Sequence, residues 1–184
     1  LTEGKFPLFI DMVDSPNGAI DRTTESGVIW FIVDGSKPEI IEISKPSQGF
    51  VIPESSFSNI EFEFRIKETN GLDENSLTLN WAIFPKGSGF GAQSLIEGQE
   101  PVTILGARNY GESIPCISSI DIDSVLESKQ RTRELDLRVW ISGFDESGRE
   151  VNKTYNDLDT PRGIWALEQR VADFELTETE NLPS

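Results

Sequence analysis

Ile60-Glu61-Phe62-Glu63-Phe64-Arg65-Ile66-Lys67 alternates apolar and charged side chains without a break. Only an extended chain puts residues i and i+2 on one face, so this octet predicts an antiparallel strand with one buried side and one solvated side. Leu77, Leu79, Trp81 and Ile83 repeat the pattern with Thr78 and Asn80 outward, and Leu135, Leu137, Val139 and Ile141 repeat it with Asp136 and Arg138 outward. Shorter strands are expected over Leu8 to Val13, Val28 to Val33, Glu39 to Ser44, Val102 to Leu105, Ile117 to Ile122 and Ile164 to Leu176. Ser15-Pro16-Asn17-Gly18, Asn70-Gly71, Lys86-Gly87-Ser88-Gly89 and Ser147-Gly148 supply turn chemistry between them. Only Ile122 to Arg133 has room for a helical turn, and Phe84 to Pro101, rich in Gly and Ser, reads as a long irregular insertion. Many short strands separated by turns indicate an all-β sandwich or barrel.

Two segments resemble each other. Ile10-Asp11-Met12-Val13-Asp14-Ser15-Pro16-Asn17-Gly18 is followed, after a polar stretch, by Gly27-Val28-Ile29-Trp30. Val139-Trp140-Ile141-Ser142-Gly143-Phe144-Asp145-Glu146-Ser147-Gly148 is followed in the same way by Gly163-Ile164-Trp165. In each, a strand runs into an Asp turn and a polar loop leads to a strand carrying Trp. Residues 1–35 are therefore expected to be the closing hairpin of a preceding repeat, or strands added to the main unit, and residues 36–184 the full domain.

Three stretches carry a family resemblance. Trp30-Phe31-Ile32-Val33-Asp34-Gly35-Ser36-Lys37-Pro38-Glu39-Ile40 is similar to the junction between immunoglobulin-like repeats of large bacterial and archaeal surface proteins. Thr69-Asn70-Gly71-Leu72-Asp73-Glu74-Asn75-Ser76-Leu77 resembles their mid-domain Gly-hydrophobic-Asp turn, and Gly143-Phe144-Asp145-Glu146-Ser147-Gly148-Arg149 their Asp-x-x-Gly-Asn turn, with Arg149 where Asn is usual. The order of the three is the family's order. The resemblance implies an immunoglobulin-like antiparallel β-sandwich at the cell surface or in the extracellular space, with neighbouring domains of the same polypeptide as partners.

Charge and composition narrow the function. A formal net charge of −16 opposes approach to a phosphate backbone or an anionic membrane surface, so nucleic acid is not an expected partner. No apolar run approaches the roughly 20 residues that span a bilayer, so direct membrane insertion is not expected, and the basic-then-apolar layout of a signal peptide is absent from the N-terminal residues. The sequence contains no His, which removes the usual general base and imidazole ligand, and Cys116 is its single cysteine, expected as a small buried hydrophobe.

The remaining candidate chemistry rests on oxygen ligands and aromatic faces. Glu61, Glu63, Asp121 and Asp123 alternate with core residues and read as solvated carboxylates, not as a glycosidase pair. Calcium needs several hard oxygen ligands, and loop residues offer them. Asp73 and Asn75, with Asn70, form one set, Asp145 with Asn156, Asp157 and Asp159 another, and Asp14 with Asn17 a third. Of the four tryptophans, Trp30, Trp81 and Trp165 sit within apolar runs and are expected in the core. Trp140 is out of phase with Val139 and Ile141 and is the candidate exposed aromatic for a carbohydrate ligand. Asn152-Lys153-Thr154 matches a glycosylation acceptor and carries no functional weight. The expectation is a non-catalytic spacer module without a cofactor, calcium apart. The alternative is a module that binds glycan or protein in adhesion, through Phe84 to Pro101 or the loops at one end.

Overall fold

The computed structural model describes residues 4–9, 28–33, 35–69, 71–89, 91–106, 113–127, 130 and 134–169. Its described residues form eleven strands: β1 Gly4–Phe9, β2 Val28–Val33, β3 Glu39–Lys45, β4 Ile52–Pro53, β5 Ile60–Lys67, β6 Thr78–Pro85, β7 Ile96–Pro101, β8 Thr103–Ile104, β9 Ser113–Ile120, β10 Leu135–Ser142 and β11 Gly163–Glu168. The one helical element among them is a single 3-10 turn, Glu54–Ser56. The protein is thus all-β.

Two larger sheets make the body. One runs β3-β5-β9-β8 and the other β4-β11-β10-β6-β7. Every pairing is antiparallel except the last strand, β11, against β4, where Leu167 lies opposite Ile52. The chain leaves the first sheet at the end of β3, passes the cis Lys45-Pro46 peptide, and joins the second sheet at β4. A separate two-stranded ladder joins β1 to β2, with Phe6 opposite Phe31 and Leu8 opposite Ile29.

The alternating sequences explain the core. On β5, Ile60, Phe62, Phe64 and Ile66 are buried, while Glu61, Arg65 and Lys67 face solvent. On the opposing sheet Leu79, Trp81 and Ile83 of β6 and Leu135, Leu137, Val139 and Ile141 of β10 are buried in the same cluster. Phe62 meets Trp165 of β11 edge to face, with ring centroids 5.3 Å apart, so the two sheets share one apolar interior. Tryptophan size is accommodated by glycine. Gly98 lies opposite Trp81 on the neighbouring strand and Gly163 lies two residues before Trp165 on the same face, and a Cβ at either position would overlap the indole ring.

Several expectations change. Arg138 is buried, not outward, because the chain after β6 folds back over the outer face of its sheet. The Gly87 N–H donates to Asp136 (2.8 Å), the Lys86 N–H donates to the Glu134 carbonyl (2.9 Å), and the Arg138 guanidinium donates to the Ser88 carbonyl. The stretch Phe84 to Pro101 is therefore not one irregular insertion, since its end is strand β7, paired to β6 from Ile83↔Ile96 to Thr78↔Pro101. Phe84 and Pro85 close β6, and among the described residues only the part from Lys86 to Leu95 is loop. Of the strand expected over Leu8 to Val13, Leu8 and Phe9 lie in β1, which starts at Gly4, and residues 10–13 lie outside the described residues; that expected over Ile164 to Leu176 is strand from Gly163 to Glu168, and residues 170–176 lie outside the described residues. Within Ile122 to Arg133 the described residues include a turn closed by the Leu126 N–H on the Ile122 carbonyl at 3.1 Å and another closed by the Gln130 N–H on the Glu127 carbonyl at 2.9 Å.

Candidate functional site

The loops at one end of the body bring together the largest group of sequence-singled residues. Leu72 forms an isolated antiparallel bridge with Asp145, and the Asp73 N–H donates to the Phe144 carbonyl at 3.0 Å. These bonds tie the turn after β5 to the turn after β10. A shallow cleft between them is lined by Asp73, Glu74, Asn75, Phe144, Asp145 and Glu146. Three of the calcium candidates, Asp73, Asn75 and Asp145, thus meet at one cleft, while Asp157 is not part of its lining.

The carboxylates there are committed to turn structure. Asp145 is buried, and its Oδ1 accepts from the Ser147 N–H (2.8 Å), the Ser147 hydroxyl (2.7 Å) and the Arg149 N–H (2.8 Å). Its Oδ2 lies 3.7 Å from the Arg149 guanidinium. A cation at Oδ2 would have to compete with a guanidinium already beside it. Asp73 accepts from the Asn75 N–H at 3.1 Å, a side-chain turn closure of the ordinary Asx kind. Among the described residues no group of three or more carboxylate, thiol or imidazole side chains is arranged to hold a metal.

The other candidates divide similarly. Asn156 is buried, and its amide both accepts from the Ile141 N–H (2.8 Å) and donates to the Ile141 carbonyl (2.7 Å), taking the place of a missing strand neighbour. Asp157 accepts from the N–H (2.6 Å) and hydroxyl (2.8 Å) of Thr160. The Thr160 backbone bond, then its hydroxyl, hold the Asp157 carboxyl below its ordinary range. Asn152 accepts from the Thr154 N–H at 3.0 Å. Asp14, Asn17 and Asn70 lie outside the described residues.

Trp140 is half-buried on the outer face of its sheet, opposite Asn80, which in turn is opposite Gln99. Asn80 donates to the Ser142 hydroxyl at 2.8 Å. Trp81 and Trp165 are core residues, as their apolar settings predict, whereas nothing of the Trp30 side chain is described. Glu61 and Glu63 converge on one cation: Lys45 donates to Glu63 (2.6 Å) and Glu61 (3.3 Å), which raises the lysine's pKa, the Glu63 bond most. Asp121 and Asp123 are exposed. Cys116 is buried against apolar neighbours, and burial pushes its thiol up to about 12, the opposite of an activated nucleophile.

Sequence reasoning missed the stacking of the Arg138 guanidinium on the Phe84 ring and the docking of the two end loops. Both depend on chain segments that meet only in the folded state. No helix among the described residues is long and apolar enough to cross a membrane. No family model matches the chain, and no curated protein or solved structure matches it significantly.

Proposed function

We propose that this chain is a non-catalytic, immunoglobulin-like β-sandwich module that serves as a spacer in a larger surface or secreted protein. The observation that carries the reading is strand order. The sheet β3-β5-β9-β8 corresponds to strands A, B, E and D of an immunoglobulin-like sandwich, and β4-β11-β10-β6-β7 corresponds to A′, G, F, C and C′. In such a fold the first strand divides between the sheets and its second half runs parallel to the last strand, the relation of β4 to β11. A buried tryptophan on strand C is a further hallmark, and Trp81 on β6 matches it. Residues 36–184 are this domain, and residues 1–35 are the closing hairpin of a neighbouring repeat.

The spacer role is supported by where the polar chemistry goes. Asp73, Asp145, Asn156 and Asp157 all bond backbone N–H groups and shape turns. The loop after β6, the arm suggested for ligand capture, is bound down on Asp136 and Arg138. A glycan array screened with the whole chain tests the assignment, alongside urea unfolding. A spacer unfolds cooperatively and gives no saturable binding. Saturable binding that is lost in Trp140→Ala would overturn the spacer reading and favour the glycan-binding alternative.

A further inference from the structure

Three contacts fasten residues 38–53 to residues 152–168, and they follow the same chain order on both sides. The Asn152 N–H donates to the Pro38 carbonyl (2.8 Å), the Trp165 indole N–H donates to the Ser47 carbonyl (3.1 Å), and Ile52 lies opposite Leu167 in the parallel β4-β11 pair. The two segments therefore run side by side in one direction, with Pro38 at one end of the track and Glu168, the last residue of β11, at the other. Each of the first two contacts is anchored behind. Asn156, 2% exposed, donates to the Asn152 carbonyl at 3.2 Å and bonds both backbone groups of Ile141 on β10, so the loop that holds Pro38 is itself tied into the sheet. The indole that reaches Ser47 packs edge to face on Phe62 in the core.

We propose that these two segments form a load path through which the module carries tension applied at its two ends. This rests on the spacer reading above and adds a mechanical function to it. The argument is one of direction. A pull that draws Pro38 and Glu168 apart moves the parallel segments lengthwise past each other. Hydrogen bonds between neighbouring strands run across the strand direction, so under that pull the three contacts are loaded together. A pull that parts strands sideways opens their contacts one after another. Resistance to force is governed by the rate of unfolding, so contacts that must break together raise it even where each adds little to equilibrium stability. The crossing between β3 and β4 fits such a role, since it lies largely outside the core, with Phe50 50% and Val51 45% exposed, yet is fastened before, within and after.

Single-molecule pulling of the whole chain at a fixed loading rate tests the path. Handles on the two termini load it lengthwise. The β1-β2 pair, whose ends Gly4 and Val33 lie opposite each other, opens first as a small separate step. Handles on Lys86→Cys and Ser124→Cys instead part the two sheets sideways, because both exposed residues follow strands, β6 and β9, that run in the direction of the track and finish at its far end. Burial keeps Cys116 out of the handle chemistry. The lengthwise unfolding force is expected to exceed the sideways force about twofold or more. Trp165→Phe removes the indole donor and keeps an aromatic ring, and it should lower the lengthwise force more than the sideways force. A role confined to packing lowers both in proportion. The proposal is overturned if the two directions give equal forces, or if Trp165→Phe leaves their ratio unchanged. Where that variant does not fold, the comparison of directions decides alone. Urea unfolding of the same chain separates the two readings. If equal forces accompany one cooperative transition of residues 36–184, only the load path falls, and if that transition is lacking, the module reading falls with it.

Discussion

The Arg138 guanidinium lies 4.0 Å from the centroid of the Phe84 ring, both residues being buried on the outer face of their sheet. The same guanidinium donates to the Ser88 carbonyl, so one side chain stacks on β6 and holds down the loop that follows it. A desolvated cation–π contact and a charged hydrogen bond each contribute on the order of 1–3 kcal/mol, offset in part by burying the charge. Arg138→Ala is expected to destabilise the chain by about 1–3 kcal/mol in urea unfolding and to speed tryptic cleavage after Lys86. Arg138→Met, which keeps the stem over the ring but loses the donors, should restore part of the stability and little of the protease resistance.

Gly163 and Trp165 make a tighter test of packing. The Trp165 ring covers Gly163 so closely that a Cβ there would intrude on it, and the ring is fixed by its Nε1 donating to the Ser47 carbonyl at 3.1 Å. Neither neighbour can yield cheaply in a core that also holds Phe62 against the indole. Gly163→Ala should cost about 1–3 kcal/mol through overpacking, measured as a lower urea midpoint. An unchanged midpoint would show that the indole moves freely.

Cys116 reports on the same core through pH. Burial pushes its thiol up to about 12, while an unfolded thiol titrates near 8.5. Above about pH 8.5 the unfolded chain releases a proton that the folded chain retains, so this contribution to stability is complete below that pH and falls as pH rises toward 12. The decline approaches about 1.4 kcal/mol per pH unit. The difference in unfolding free energy between the protein and Cys116→Ala should therefore be flat near neutrality and shift in the variant's favour at alkaline pH. Thiol-directed alkylation at pH 8 should be slow until urea unfolds the chain.

How much of this was legible beforehand follows from how local each feature is. The strands β5, β6 and β10 announce themselves because each buried face is written in its own alternation. Strand β7, Ile96-Glu97-Gly98-Gln99-Glu100-Pro101, does not: it is a sheet edge with little apolar side of its own, and its glycine is there to admit Trp81 from the next strand. Arg138 obeys the alternation that placed it outward, and is buried only because a distant loop returns over it. The meeting of Asp73 with Asp145 had the same limit. Each Asp turn is visible alone, but the bridge between Leu72 and Asp145 that aligns them is a long-range pairing.

Those turns also fix the expected response to calcium. A ligand that binds only the folded state raises stability by about 2.7 kcal/mol at a hundredfold excess over its dissociation constant. At the cleft, Asp145 already accepts three hydrogen bonds on Oδ1 and has Arg149 beside Oδ2, and Asp73 closes its own turn. Melting temperatures in millimolar calcium and in chelator are expected to coincide. A clear rise in calcium, abolished by Asp145→Asn, would show that a cation displaces the guanidinium and would make this cleft a metal site.

The N-terminal boundary gives the last prediction. Pro38 is buried and its carbonyl accepts from the Asn152 N–H at 2.8 Å, and β3 pairs with β5 from Glu39↔Lys67, so the strand pairing of the body is under way by residue 39. The ladder of β1 is confined to β2, and neither strand belongs to either larger sheet. Removing residues 1–35 therefore takes away no strand pairing from the body while deleting the exposed Phe6, Leu8 and Phe31. The shortened chain is expected to keep its β-sheet circular dichroism and to unfold in one urea transition with an unchanged midpoint. Its solubility should rise, because an uncovered apolar ribbon is an aggregation hazard. Loss of the cooperative transition would assign the hairpin to the body and reduce the chain to a single larger domain.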